Sequence, residues 1–217
     1  NSVEIMQNSK NIVIALLVLS IPLVLGIYFA NKSDPAASPE LINASYLLNQ
    51  QVAIADFNLI DQNEQPFTPE QVKGEWTFWF FGFTHCPDIC PFTMGTLSAV
   101  MQTLKQEHDI DNVRTVFVSV DPLRDTPERM KSYLETFGPE VIGVSSAGPE
   151  LATFIKNMGI VAKLPETIDV NDNYDVMHSS SIYLIAPNNA IAALLRTPHS
   201  VDDIVYNFQQ VHSNYSK

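Results

Sequence analysis

Between Trp76 and Phe81 the chain reads WTFWFF, an almost unbroken aromatic run. A strand this apolar has no face to offer water, so it has to be covered on both sides, as a central strand between helices is. Pro91 then opens a segment in which Met94, Leu97, Met101 and Leu104 recur at helical spacing. Val113 to Val120 is a second buried strand rich in β-branched residues. It is followed by a helix that begins near Pro127, where proline suits the first helical position, and stops at Gly138. Val141 to Val144 reads as a short strand and Pro149 to Met158 as a helix. Ser180 to Ile185 and Ile191 to Leu195 read as a hairpin around Asn188 and Asn189, and Val201 to His212 as a closing helix. Ahead of these, Ala53 to Ile60 alternates as a strand, Asp61 to Gln65 is a polar turn, and Pro66 to Thr68 returns. The expected order is βαβαβαββα after an N-terminal β-hairpin, an α/β fold with an antiparallel edge.

Composition limits the rest. Hydrophobic residues make up 46% of the 217 positions and charged ones 17%, which suits one packed domain with a short appendage and excludes disorder. Lys and Arg total 12 against 24 Asp and Glu, a formal net charge of −12, so nucleic acid is not an expected partner.

The appendage is N-terminal. No residue from Ile12 to Ala30 is charged, and Lys10 and Lys32 bracket the run. As a helix it reaches about 28 Å, close to the hydrocarbon thickness of a bilayer. Tyr28 and Phe29 stand where signal-peptide cleavage wants small residues, and they suit the aromatic belt of a membrane anchor better. The expected organisation is a short tail (1–11), a single transmembrane helix (12–30), a polar, proline-containing linker (31–51) and the folded domain (52–217). One lysine on each flank gives no charge bias, so the sequence leaves the orientation open.

Both cysteines of the chain fall in THCPDICP, Thr84 to Pro91, between the aromatic strand and the first helix. Unpaired amides at a helix N-terminus favour thiolate over thiol. On a helical turn, residues four apart lie about 5 to 6 Å from each other, near enough to share a metal ion or close a disulfide. The competing readings are weaker. Two prolines and an aspartate make a poor core segment for inert thiols, and a structural disulfide here would close a very small loop. Structural zinc wants further Cys or His ligands at motif spacing, which the sequence lacks.

Three motifs in order, FFGFTHCPDICP (Phe80 to Pro91), FVSVDPLRDTPE (Phe117 to Glu128) and HSSSIYLIAP (His178 to Pro187), resemble the Sco/SenC family of membrane-anchored copper proteins. The resemblance runs from about Ala53 to Val211. It implies a thioredoxin-like fold and a copper ion held by Cys86, Cys90 and His178, a donor set that suits copper in either oxidation state. It further implies delivery to the dinuclear copper centre of cytochrome c oxidase subunit II, with another copper chaperone as a donor. It also implies a domain on the outer face of a bacterial inner membrane or on the intermembrane-space side in mitochondria; with no Arg-rich, Ser-rich transit segment ahead of the anchor, the expectation is the bacterial inner membrane, single-pass, with the domain in the periplasm. The alternative, of a different class, is a thiol-disulfide oxidoreductase in which Cys86 and Cys90 form the catalytic redox pair.

Family members commonly carry an aspartate before the ligand histidine, where this chain has Met177. A carboxylate there would fix the imidazole tautomer, so copper affinity is expected to differ. Met177 itself is expected to serve packing rather than ligation. His85 is expected to orient the loop, and His108, His199 and His212 to lie on the solvated surface. Asp121 ends a strand where α/β folds place binding residues, and Asp125 or Thr126 is expected to cap the helix that follows.

Overall fold

The computed structural model describes residues 21–22, 39–50, 52–165 and 174–215. The chain divides into two compact units, Asn1–Ser38 and Pro39–Lys217. In the first, only Ile21 and Pro22 fall among the described residues, and both are helical; the rest of the expected anchor lies outside them. Among the described residues no helix is long and apolar enough to cross a membrane.

The second unit is built on β4 (Trp76–Gly82), β5 (Val113–Ser119) and β6 (Val141–Ser145), which run parallel and form the middle of the sheet. All seven residues of β4 are buried, as its aromatic sequence demands. Each large apolar side chain buried in this way contributes about 1.5–3 kcal/mol. The crossovers are α1 (Ile89–His108), between β4 and β5, and α2 (Pro127–Leu134), between β5 and β6. After β6 come α3 (Pro149–Asn157), then β9 (Ile182–Ile185) antiparallel to β4, β10 (Ile191–Leu195) and the closing α4 (Val201–Tyr215). On the other edge, β2 (Leu59–Asp61) pairs with β6 and with β3 (Pro66–Phe67), which is the N-terminal hairpin, shorter than its sequence suggested. A two-residue ribbon of β7 (Ala162–Lys163) and β8 (Met177–His178) stands apart from the main sheet. This is the expected α/β, thioredoxin-like arrangement.

One boundary differs from expectation. The sequence places residues 31–51 in a linker, but β1 (Ala44–Tyr46) pairs antiparallel with β10 and extends the sheet. Its anchorage comes from far along the chain. The buried Asn207 side chain accepts from the Ile42 amide at 2.8 Å and donates to the Ile42 carbonyl at 2.7 Å. A three-residue strand whose partners are supplied by the last strand and last helix carries no periodic signal of its own.

Helix α1 is set so that its first turn meets the end of β4. An added Cβ at Gly82 would lie 2.9 Å from the Cys90 sulfur and 3.1 Å from both Phe117 and Phe80. Glycine here makes room for the thiol, a close approach that any side chain would close off. We predict that Gly82→Ala shifts the Cys90 sulfur and lowers unfolding stability by about 1–3 kcal/mol, measured by urea denaturation. A variant as stable as the parent would contradict this packing.

Candidate metal centre

Cys86 lies in the loop after β4, and Cys90 in the first turn of α1. The Cys90 amide points at the Cys86 sulfur, N to Sγ 3.5 Å, so the open end of the helix faces the first thiol. Both cysteines are free. Cys90 has no exposed surface and Cys86 keeps 9%.

The expectation that the helix end would favour thiolate at both positions does not hold for Cys90. Burial pushes its thiol well above the ordinary range, and the neighbouring Cys86 adds to the rise. Desolvation disfavours the charged form more than the hydrogen bond from the Phe83 backbone favours it.

His178 comes from β8, 88 positions beyond Cys90, and its Nε2 lies 3.5 Å from the Cys90 sulfur. Its Nδ1–H donates to the Ser179 carbonyl at 3.0 Å, since a carbonyl can only accept. That bond leaves Nε2 with its lone pair toward the thiols. The tautomer-fixing role that a carboxylate would play is therefore taken by a backbone oxygen. Phe80 and Phe83 meet the imidazole edge-on at 6.1 and 5.7 Å and wall it in. One ligand-type atom from each of Cys86, Cys90 and His178 lies within 4.8 Å of the others. Met177 does not pack as expected: it is 65% exposed, and its place next to His178 on an extended strand puts its thioether on the opposite face.

The cysteine loop is held by Asp125. This buried carboxylate accepts from the Thr84 amide at 2.9 Å, the Thr84 hydroxyl at 2.7 Å and the Ser119 hydroxyl at 2.6 Å. His85 Nδ1 stands 3.4 Å from the same carboxylate and 3.2 Å from Thr84 Oγ1, which is the orienting role expected for it. Arg129 adds a bond from Nε to the Thr84 hydroxyl at 3.2 Å. The helix cap is Thr126, whose side chain accepts from the Arg129 amide. Asp125, one of the two residues read as a cap, is thus a tie between the second motif and the first.

Asp121, also fully buried, accepts from Arg124 Nε and from the Tyr174 hydroxyl, each at 2.6 Å. Burial and the bond to Asp121 push the Tyr174 phenol up to about 12, so it remains a donor at neutral pH. Of the histidines expected at the solvated surface, His199 is buried and His212 half-buried. His199 is 7% exposed and donates from Nε2 to the Ser180 carbonyl at 2.8 Å, and His212 packs its ring on Phe208 and Trp76. Their polar neighbours in sequence concealed partners supplied by other elements. Nothing in the sequence marks Gly82 or the Ser179 carbonyl.

Comparisons with known proteins agree with this geometry. The SCO1/SenC family model matches residues 47–213. The SCO2-like protein of Rickettsia felis is 32% identical over 184 residues, covering 84% of this chain and 89% of its own length. The mitochondrial protein SCO2 of Saccharomyces cerevisiae is 38% identical over 131 residues, covering 60% of this chain and 43% of its own length. Among solved structures, Arabidopsis thaliana ScoI with copper bound superposes with a TM-score of 0.70 at 31% identity, covering 75% of this chain and all of that one. The family match takes in most of the folded unit and all three residues of the candidate metal centre, and the chain belongs to the SCO1/SenC family.

Proposed function

We propose that this protein carries copper as cargo, taking one ion through Cys86, Cys90 and His178 and passing it to the dinuclear copper centre of cytochrome c oxidase subunit II. The observation that carries this reading is the approach of two sulfurs and one imidazole nitrogen to within 4.8 Å of one another. Soft thiolates with one imidazole suit copper, and three protein donors leave room for an incoming ligand from an acceptor. Transfer is then a ligand exchange in which each new bond to the acceptor replaces one to the carrier. The copper-bound Arabidopsis relative supports the choice of metal.

Uptake involves protons. With its thiol raised by burial, Cys90 enters the reaction protonated, and its proton leaves as the sulfur becomes a ligand. The Nε2 atom of His178 is placed to accept from that S–H, and it gives up this bond when it turns its lone pair to the metal.

Thiol-disulfide exchange is the second reading, and the closeness of the two sulfurs favours it. Cys86, the more exposed thiol, would attack a partner disulfide; Cys90 would resolve the mixed disulfide, and the two electrons would reduce the partner to a dithiol. That chemistry has no use for His178. We predict that the reduced full-length chain, titrated anaerobically with Cu(I) and desalted, retains one copper. We predict further that His178→Ala weakens binding by more than about 100-fold while leaving exchange with a model disulfide intact. Equal copper affinity in parent and variant would remove His178 from the ligand set. An absence of retained copper in a competent dithiol parent would favour exchange as the activity.

Residues 12–30 are proposed to hold the domain at the outer face of a bacterial inner membrane, in the periplasm, where tethering raises its effective concentration near a membrane-embedded target. Deleting residues 1–34 is expected to leave copper binding unchanged and to lower oxidase activity in cells at native expression. Undiminished oxidase activity would count against the tether.

A further inference from the structure

The segment that brings His178 to the cysteines has little main-chain support. Its pairing partner is β7, and the ribbon is two residues long on each side. A pairing this short is at best marginal by itself. Four residues ahead of His178, however, Tyr174 is fastened to the end of β5. Its hydroxyl donates to Asp121 Oδ1 at 2.6 Å, and its ring centroid lies 3.4 Å from the Arg124 guanidinium carbon. Arg124 in turn donates from Nε to the other oxygen of Asp121 at 2.6 Å. One carboxylate thus gathers both the phenol and the guanidinium, and the ring covers the cation.

The ion pair is deeply buried, with side-chain exposures of 7% for Arg124 and 0% for Asp121. Arg124 Nη2 is buried without a hydrogen-bond partner among the described residues, so the contacts that hold the guanidinium are the carboxylate at Nε and the flanking rings. On its other side the guanidinium carbon lies 5.6 Å from the Phe83 ring, and Phe83 meets His178 edge-on at 5.7 Å. Two contact paths therefore lead from Asp121 and Arg124 to His178, one along the chain from Tyr174 and one through Phe83. From this geometry we propose that Asp121, Arg124 and Tyr174 form a latch that holds the His178 arm over the two thiols before metal arrives, making all three positioning residues. The role rests on the copper-carrier reading for its use, and on the fold alone for its existence. Holding the imidazole in place beforehand removes an ordering cost from copper binding.

Tyr174→Phe tests the latch with the ring and its volume retained and the hydroxyl removed. In the copper-free full-length chain, amide hydrogen exchange is followed at Ser179, whose N–H donates to the Val161 carbonyl at 2.9 Å. Cu(I) affinity is measured by competition with a colorimetric chelator, in the parent and in a His178→Ala background. The expected result is an increase of about tenfold in Ser179 exchange and a loss of about tenfold in affinity. No further loss is expected once His178 is absent, because the effect passes through that residue. Affinity equal to that of the parent overturns the proposal. So does an equal loss in both backgrounds, which would mark a general structural effect. If the parent binds no copper, the carrier reading falls. The exchange experiment then decides the latch alone: faster Ser179 exchange supports it and unchanged exchange overturns it.

Discussion

The metal centre depends on the burial of one thiol. Cys90 has no exposed surface, and Gly82 beneath it leaves only the space the sulfur occupies. A buried sulfur holds a negative charge poorly without compensation, so burial pushes the Cys90 thiol toward its protonated form, with His178 Nε2 3.5 Å away. A soft cation changes that balance by supplying the compensating charge. On the copper-carrier reading, binding exchanges the Cys90 proton for the metal, and release returns a proton to that sulfur.

The remaining structure keeps three donors from separate elements in register with that sulfur. Cys86 comes from the loop after β4, Cys90 from α1 and His178 from a ribbon far along the chain. Asp125 ties the cysteine loop to β5 through Thr84 and Ser119, and the Ser179 carbonyl sets the imidazole tautomer. These groups need not touch the metal to matter. They restrict the donors to one arrangement, as a site that binds without reorganising requires.

Where the sequence was informative, burial was the reason. WTFWFF and VRTVFVS are legible as central strands because each is covered on both faces, which removes every polar residue from β4 but threonine. The cysteine pair was legible from its place between that strand and a proline-marked helix. His178 was one of five histidines, and only the family resemblance singled it out, since a two-residue strand has no period to read. The same reasoning accounts for β1, which is sewn on by Asn207 from α4, and for His199, whose partner is a backbone carbonyl 19 residues earlier. From its sequence neighbours Asp125 reads as a helix cap. The cap belongs to Thr126, and the carboxylate turns inward to a loop 41 residues away.

The most direct test of this account is the number of protons released when Cu(I) binds. It would be measured on the reduced full-length chain in weakly buffered, anaerobic solution near about pH 7. A thiol raised by burial requires Cys90 to give up a whole proton per copper, in addition to whatever Cys86 releases, and affinity to climb as pH rises. Copper binding with no proton released, and with affinity independent of pH, would show that Cys90 is already a thiolate in the empty site or is not a ligand.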